Sequence, residues 1–258
     1  MQVGTIRIVF AFLFLLPVAL KNLKKIPEGK TIYFIITGIV GNLIPAVLFA
    51  LAETQLESSL SGILNALTPL FTLLFAVFVF KIKIKKFQVI GLLIGFSGII
   101  GLSMVNSGGN FGSMNVYVWY IIIATVFYAM NLNLIKVYLG DINSIIATSL
   151  SLFFIGPVSL LYIFTTDFFD KMSNSPGAYE SLFFIAILGI LGTAIALILY
   201  MRLIQMHSAI FASSVAYFIP VVAIIWGLAD GEVLYPMHYV GMLLILTGIY
   251  ISNKTSKN

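Results

Sequence analysis

Inside the apolar runs of this chain, the residues whose types could do chemistry are amides and hydroxyls: Asn42, Asn65, Thr68, Tyr128, Asn131, Thr193, Ser213, Ser214 and Tyr217. Such groups bind a ligand by hydrogen bonds but do not break bonds unaided. A hydrolase or transferase needs a nucleophile with a base, paired carboxylates or a metal cluster. Every acid here falls at a helix end or in a loop. Cysteine is absent, which removes disulfides, thiolate metal sites and thiol catalysis. His207 and His238 have no ligand partner at zinc-site spacing. No catalytic residue, metal or cofactor is therefore expected. Recognition remains, and amides and hydroxyls beside aromatic rings suit a neutral or zwitterionic metabolite.

The spacing of these groups sharpens the expectation. Tyr128 and Asn131 are three residues apart, hence on one helix face. Asn65 and Thr68 precede Pro69, and Ser213, Ser214 and Tyr217 precede Pro220. Pro69 and Pro220 each remove a backbone donor and free carbonyls that a cavity can use, so both are hinge candidates. Each polar residue also has a plainer role, because Asn, Ser and Thr commonly hydrogen-bond between membrane helices or to their own backbone. Arg7 is expected to snorkel to the outer interface, the alternative being an anionic group in a cavity. Glu53, Glu57, His207 and His238 all lie close to an interface. Without a mid-helix acid or histidine, facilitated diffusion or exchange is favoured over a buried proton relay.

The elements that position these residues are long and apolar. Of 258 residues, 60% are hydrophobic and only 9% charged, against about 25% charged in a soluble domain. Nine runs have the length of a membrane helix: 3–20, 32–52, 58–80, 87–104, 116–136, 143–165, 180–203, 209–229 and 236–252. The fold class expected is all-α, polytopic and membrane-embedded. The first run is a retained helix rather than a signal peptide, since Lys21, Lys24 and Lys25 follow its apolar core and no cleavage site appears. The segment 166–179, with its Asn-Ser-Pro-Gly, is expected to be a surface turn. Alternate loops and the C-terminus collect the lysines, while the opposite loops carry Lys171 as their sole cation. This positive-inside asymmetry places the C-terminus in the cytoplasm. The net charge of +5 is topogenic and does not make a nucleic-acid-binding face.

The runs are also duplicated. Pro69 and Pro220 are 151 residues apart, as are Gly38-Ile39-Val40-Gly41 and Gly189-Ile190-Leu191-Gly192, and Asn42 and Thr193. Gly91 and Gly98 match Gly241 and Gly248 at 150. Gly91, Gly95 and Gly98 form a small-residue stripe that lets a neighbouring helix approach, a packing role. The repeats divide the chain at 1–106 and 107–258. The run at 116–136 has no counterpart, which implies two five-helix units of which the first lacks its first helix. An odd number of helices per unit makes the two insert with opposite orientation, an inverted repeat.

The proline-centred segments Asn65-Ala66-Leu67-Thr68-Pro69 and Tyr217-Phe218-Ile219-Pro220, each followed by a loop and a final helix with glycines seven apart, resemble the EamA-type family of the drug/metabolite transporter superfamily. Gly231-Glu232 looks like that family's usual Gly-Glu; the first half departs from it with Lys81-Ile82-Lys83. Thr5-Ile6-Arg7 resembles the arginine-bearing start of the family's second helix. The resemblance implies ten helices, cytoplasmic termini and transport of small metabolites such as amino acids. The expected function is a permease of the cytoplasmic membrane working by alternating access, alone or as a homo-oligomer. The alternatives are a non-transporting subunit of a membrane complex, a lipid-modifying membrane enzyme and an inactive truncated transporter.

Overall fold

A computed structural model describes residues 2–56, 58–106, 116–219, 221–222 and 236–254. Among them the regular structure is all helical. Lipid supplies no hydrogen-bond partner, so an apolar chain must satisfy its backbone internally. The helices are α1 (Gln2–Asn22, with a 3-10 turn over Leu23–Lys25), α2 (Thr31–Ala52), α3 (Ser58–Asn65), α4 (Thr68–Phe78), α5 (Lys86–Asn106), α6 (Tyr117–Tyr138), α7 (Ser144–Phe164), α8 (Phe168–Asn174), α9 (Ala178–Met206), α10 (Ala209–Ser213, with a 3-10 turn over Ser214–Tyr217) and α11 (Pro236–Lys254). Five of them, α1, α2, α6, α7 and α9, are long and apolar enough to cross a membrane. The protein is a multi-pass membrane protein.

Local chemistry sets several boundaries. The side chain of Asn143 accepts from Ile145 N–H at 2.9 Å and caps α7. Ser208 accepts from Phe211 N–H at 3.0 Å and caps α10. Two expectations change. The run at 58–80 is split into α3 and α4, because Pro69 in the first turn of α4 has no N–H to return to Asn65. The segment 166–179 is more than a turn: it holds α8, whose Phe169 packs on Phe164 with ring centroids 5.3 Å apart.

The contacts divide the chain into two compact units, each drawing on two separate stretches. The first comprises Met1–Ala50 and Leu134–Met206. Its core gathers Ile8, Ala11 and Leu15 of α1 with Leu152 and Ile155 of α7 and Ala194 of α9, with Leu43 and Ala46 of α2 packed against them. Close approach depends on glycine. A methyl on Gly38 of α2 would stand 2.6 Å from the carbonyl oxygen of Ser151 in α7. One on Gly189 of α9 would stand 2.9 Å from the carbonyl oxygen of Arg7 in α1. At one end Lys30 pairs with Asp141 at 2.6 Å, and Tyr33 stacks on Tyr138 with ring centroids 4.1 Å apart. Gln205 donates to the carbonyls of Leu139 and Ile142, closing the end of α6.

The second unit comprises Leu51–Asn133 and His207–Asn258. Here α5 and α11 run antiparallel, Gly91 against Gly248 and Gly98 against Gly241. A methyl on Gly98 would meet the carbonyl oxygen of Gly241 at 2.7 Å. Lipid offers little hydrophobic drive for helix association, so this contact depends on van der Waals packing between small residues. Leu92, Ile99, Leu102 and Ile245 surround the seam, and Tyr217 joins them. Asn133 ties α6 to α4 by donating to Thr72 O at 3.0 Å.

Candidate substrate-binding site

The most irregular backbone lies in the middle of two spans of the first unit. In α2 the residues Ile39–Leu43 form a π turn, and in α9 so do Ile190–Ile195. Asn42 has eleven residues of α2 before it and ten after; Thr193 has fifteen of α9 before it and thirteen after. A π turn widens the helix and often marks a functional position. Glycine pairs, Gly38 with Gly41 and Gly189 with Gly192, weaken the regular helix at both places. In α2, Pro45 also removes a donor just after the turn.

Each widened turn carries one polar side chain that bonds five residues back. Asn42 Nδ2 donates to Thr37 O at 3.2 Å, and Thr193 Oγ1 donates to Leu188 O at 3.4 Å. Both side chains are half-buried. Ala194 of one turn belongs to the cluster that includes Ile8, Ala11 and Leu15 of α1, and Leu43 of the other turn packs against that same cluster.

Arg7 adjoins Ile8 in α1. Its guanidinium is half-buried and donates to Thr193 Oγ1 from Nε at 3.3 Å and from Nη2 at 3.2 Å. Expected at an interface, it turns instead toward the midpoint of α9. Gly189, one turn before Thr193, leaves room beside the Arg7 backbone for this approach.

The remaining candidates lie in the second unit. Asn65 is half-buried and accepts from Thr68 Oγ1 at 3.3 Å across the gap between α3 and α4. Thr68 and Pro69 are buried. Ser213 donates to Ile210 O at 2.7 Å and Ser214 to Phe211 O at 2.6 Å, so both hydroxyls are committed to their own helix. Tyr217 is fully buried, its ring against Gly95 and its hydroxyl donating to Leu92 O at 3.3 Å. Tyr128 is half-buried on α6. Asn131, one turn on, is buried with its side-chain oxygen unbonded. Pro220, Gly231 and Glu232 lie outside the described residues, as does Glu57.

Sequence reasoning placed Asn42 and Thr193 at matched positions but missed the π turns and the partner of Arg7. The signal was present in the Gly-x-x-Gly pairs, which read as repeat markers. It was not readable as backbone geometry, because glycine weakens a regular helix without fixing what replaces it.

The chain is similar to known proteins in sequence and in fold. The "Uncharacterized inner membrane transporter YedA" of Escherichia coli (strain K12) is 28% identical over 259 residues, which cover 97% of this chain and 80% of that protein. An "Uncharacterized transporter" of Clostridium kluyveri is 24% identical over 273 residues, covering 99% and 84% respectively. A solved crystal structure has the same fold, with a TM-score of 0.74 at 15% identity over 99% of this chain and 88% of the other. The model of the EamA-like transporter family matches residues 1–104 and 115–254. The chain therefore belongs to the EamA-like transporter family, within the drug/metabolite transporter superfamily.

Proposed function

We propose that this membrane transporter is a permease of the cytoplasmic membrane that moves small organic metabolites, amino acids or similar zwitterions, by alternating access. The observation that carries the reading is the pair of mid-span π turns with Asn42 and Thr193 at their centres. Irregular backbone at membrane depth is tolerated where protein or a water-lined path satisfies it, and transporters bind substrate near the bilayer midplane. The reciprocal contacts of repeat-matched glycines, Gly91 with Gly248 and Gly98 with Gly241, support an inverted repeat of two five-helix units. The C-terminus then faces the cytoplasm, in keeping with the lysine-rich loops.

The test is uptake by liposomes containing only the purified protein, with labelled amino acids as probes. Saturable, protein-dependent uptake that exchanges with unlabelled substrate is expected. Asn42→Ala and Thr193→Ala are expected to reduce it at least about tenfold while costing stability only about 1 kcal/mol each, the net worth of a typical intramolecular hydrogen bond. Uptake no faster than in empty liposomes would favour a non-transporting subunit. Full uptake in both variants would remove the π turns from the path.

A further inference from the structure

We propose that Arg7, held by Thr193, is the recognition point for a carboxylate on the transported molecule. This rests on the permease reading and narrows its substrate class. The ion pairs among the described residues are Lys30–Asp141 and Lys171–Asp167, neither of which involves Arg7. Asp141 and Asp167, the unit's paired acids, lie between helices, whereas Arg7 lies within a membrane-spanning one. A guanidinium in such a place needs an anionic or strongly polar partner. Thr193 supplies a single neutral oxygen, and two of the guanidinium nitrogens converge on it at 3.2 and 3.3 Å. Charge-assisted bonds to a carboxylate are shorter, about 2.7–2.9 Å, and are commonly bidentate. Arg has five N–H donors in a fixed fork, so the hydroxyl leaves most of that capacity for a second acceptor.

The placement adds to the chemistry. Thr193 sits at the centre of the π turn in α9, and Leu43, beside Asn42 in the other π turn, packs in the same cluster as Ile8 and Ala11 of α1. The cation is thus held at the π turn of α9, and its chain neighbour Ile8 belongs to the cluster that Leu43 of the other π turn packs against. Thr193 acts as a positioning residue: it accepts from Arg7 and donates to Leu188 O, which orients its lone pairs toward the guanidinium. The ligand's carboxylate takes the open edge of the fork, and the amide of Asn42 is suited to its polar remainder.

The experiment measures ligand-induced shifts of melting temperature for the full chain in detergent. Its probes are the protein amino acids and short-chain carboxylic acids, each with its carboxamide, and for each amino acid the amine left without the carboxyl group. The expected result is that at least one acid shifts the wild-type protein while its amide and amine do not. Arg7→Gln should weaken that acid at least about tenfold, the scale of a lost hydrogen bond to a charged group, and Arg7→Lys should recover part of the loss. The proposal is overturned if amides or amines bind as well as acids, if Arg7→Gln binds the acid unchanged, or if no carboxylate shifts the wild-type protein. The acid-against-amide comparison needs no variant, so a misfolded Arg7→Gln does not rescue the proposal. Transport of amines at the rate of acids would overturn it and leave the permease reading standing. Selective acid binding without uptake would do the reverse.

Discussion

Asn42 and Thr193 make the same hydrogen bond in two different helices. Each reaches back five residues, Asn42 to Thr37 O at 3.2 Å and Thr193 to Leu188 O at 3.4 Å, and each does so from within a π turn. The two positions are 151 residues apart, as are the flanking Gly38 and Gly189. The side chains differ in size and chemistry, so the shared element is the backbone, widened at the middle of a membrane span. A regular helix would leave no reason for either side chain to seek an i−5 carbonyl. Both bonds are long, and long bonds are weak. Stability is thus a poor explanation for keeping a polar group at both places.

The α5–α11 seam yields a contrast between two glycines. A methyl on Gly248 would collide with the backbone nitrogen of Gly95 and meet the carbonyl oxygen of Gly91 at 2.6 Å. Backbone cannot swing aside as a side chain can, so the helices must part. Gly248→Ala is expected to cost about 1–3 kcal/mol, the usual range for overpacking. A methyl on Gly101 has no described neighbour within 4 Å, so Gly101→Ala should melt at or slightly above the wild type, alanine favouring the helix by up to about 1 kcal/mol. Thermal unfolding in detergent reads both, and equal melting temperatures would remove the close seam.

Lys81 adopts a positive φ of 52°, the one non-glycine residue described that does so. It stands just past α4, where the N–H of Ile82 returns to Ala76 O at 2.7 Å. The left-handed conformation costs an L-residue about 1–2 kcal/mol. Glycine would relieve that cost but add about 0.4–1 kcal/mol of unfolded-state entropy. Lys81→Gly should therefore stabilise the protein by about 0–1.5 kcal/mol, the difference between those two terms. A fall in melting temperature would mean that the lysine side chain contributes more than its backbone costs.

The pairing of Lys30 with Asp141 gives a pH dependence of definite sign. The hydrogen bond from Lys30 holds the Asp141 carboxyl below its ordinary range. A carboxyl with a depressed folded value stabilises the protein above its unfolded pKa, about 3.9, and that stabilisation is lost as pH falls through the folded value. Both side chains reach solvent, so the pair is worth about 0–1 kcal/mol. Asp141→Asn should lower the melting temperature slightly at pH 7, with the difference from wild type shrinking below about pH 4. A difference that grew toward acid pH would contradict the assignment.

Much of this architecture was legible in the sequence because membrane helices are written by composition. The limits of α6 and α7 lie within a few residues of their apolar runs, since hydrocarbon thickness sets length. The glycines at 91, 98, 241 and 248 were readable as packing residues, and they meet each other across one seam. What escaped were features that depend on a second helix. Tyr217 reads as a cavity residue by its type, yet Gly95 opens a slot that its ring fills. Ser213 and Ser214, by contrast, each bond the carbonyl three residues back, the plainer of the two roles their types allow. Arg7 reads as an interfacial cation because its run begins nearby, and only the approach allowed by Gly189 turns it toward Thr193.

On the proposed reading, the two mid-span π turns line the substrate's path. Because the chain has no native cysteine, single-cysteine variants Asn42→Cys and Thr193→Cys can be labelled with a membrane-impermeant thiol reagent in sealed vesicles of either orientation. The account predicts that both positions react from both sides of the membrane, and that a transported substrate slows both reactions. If neither position reacts until the protein is denatured, the turns are closed packing features and the account is wrong.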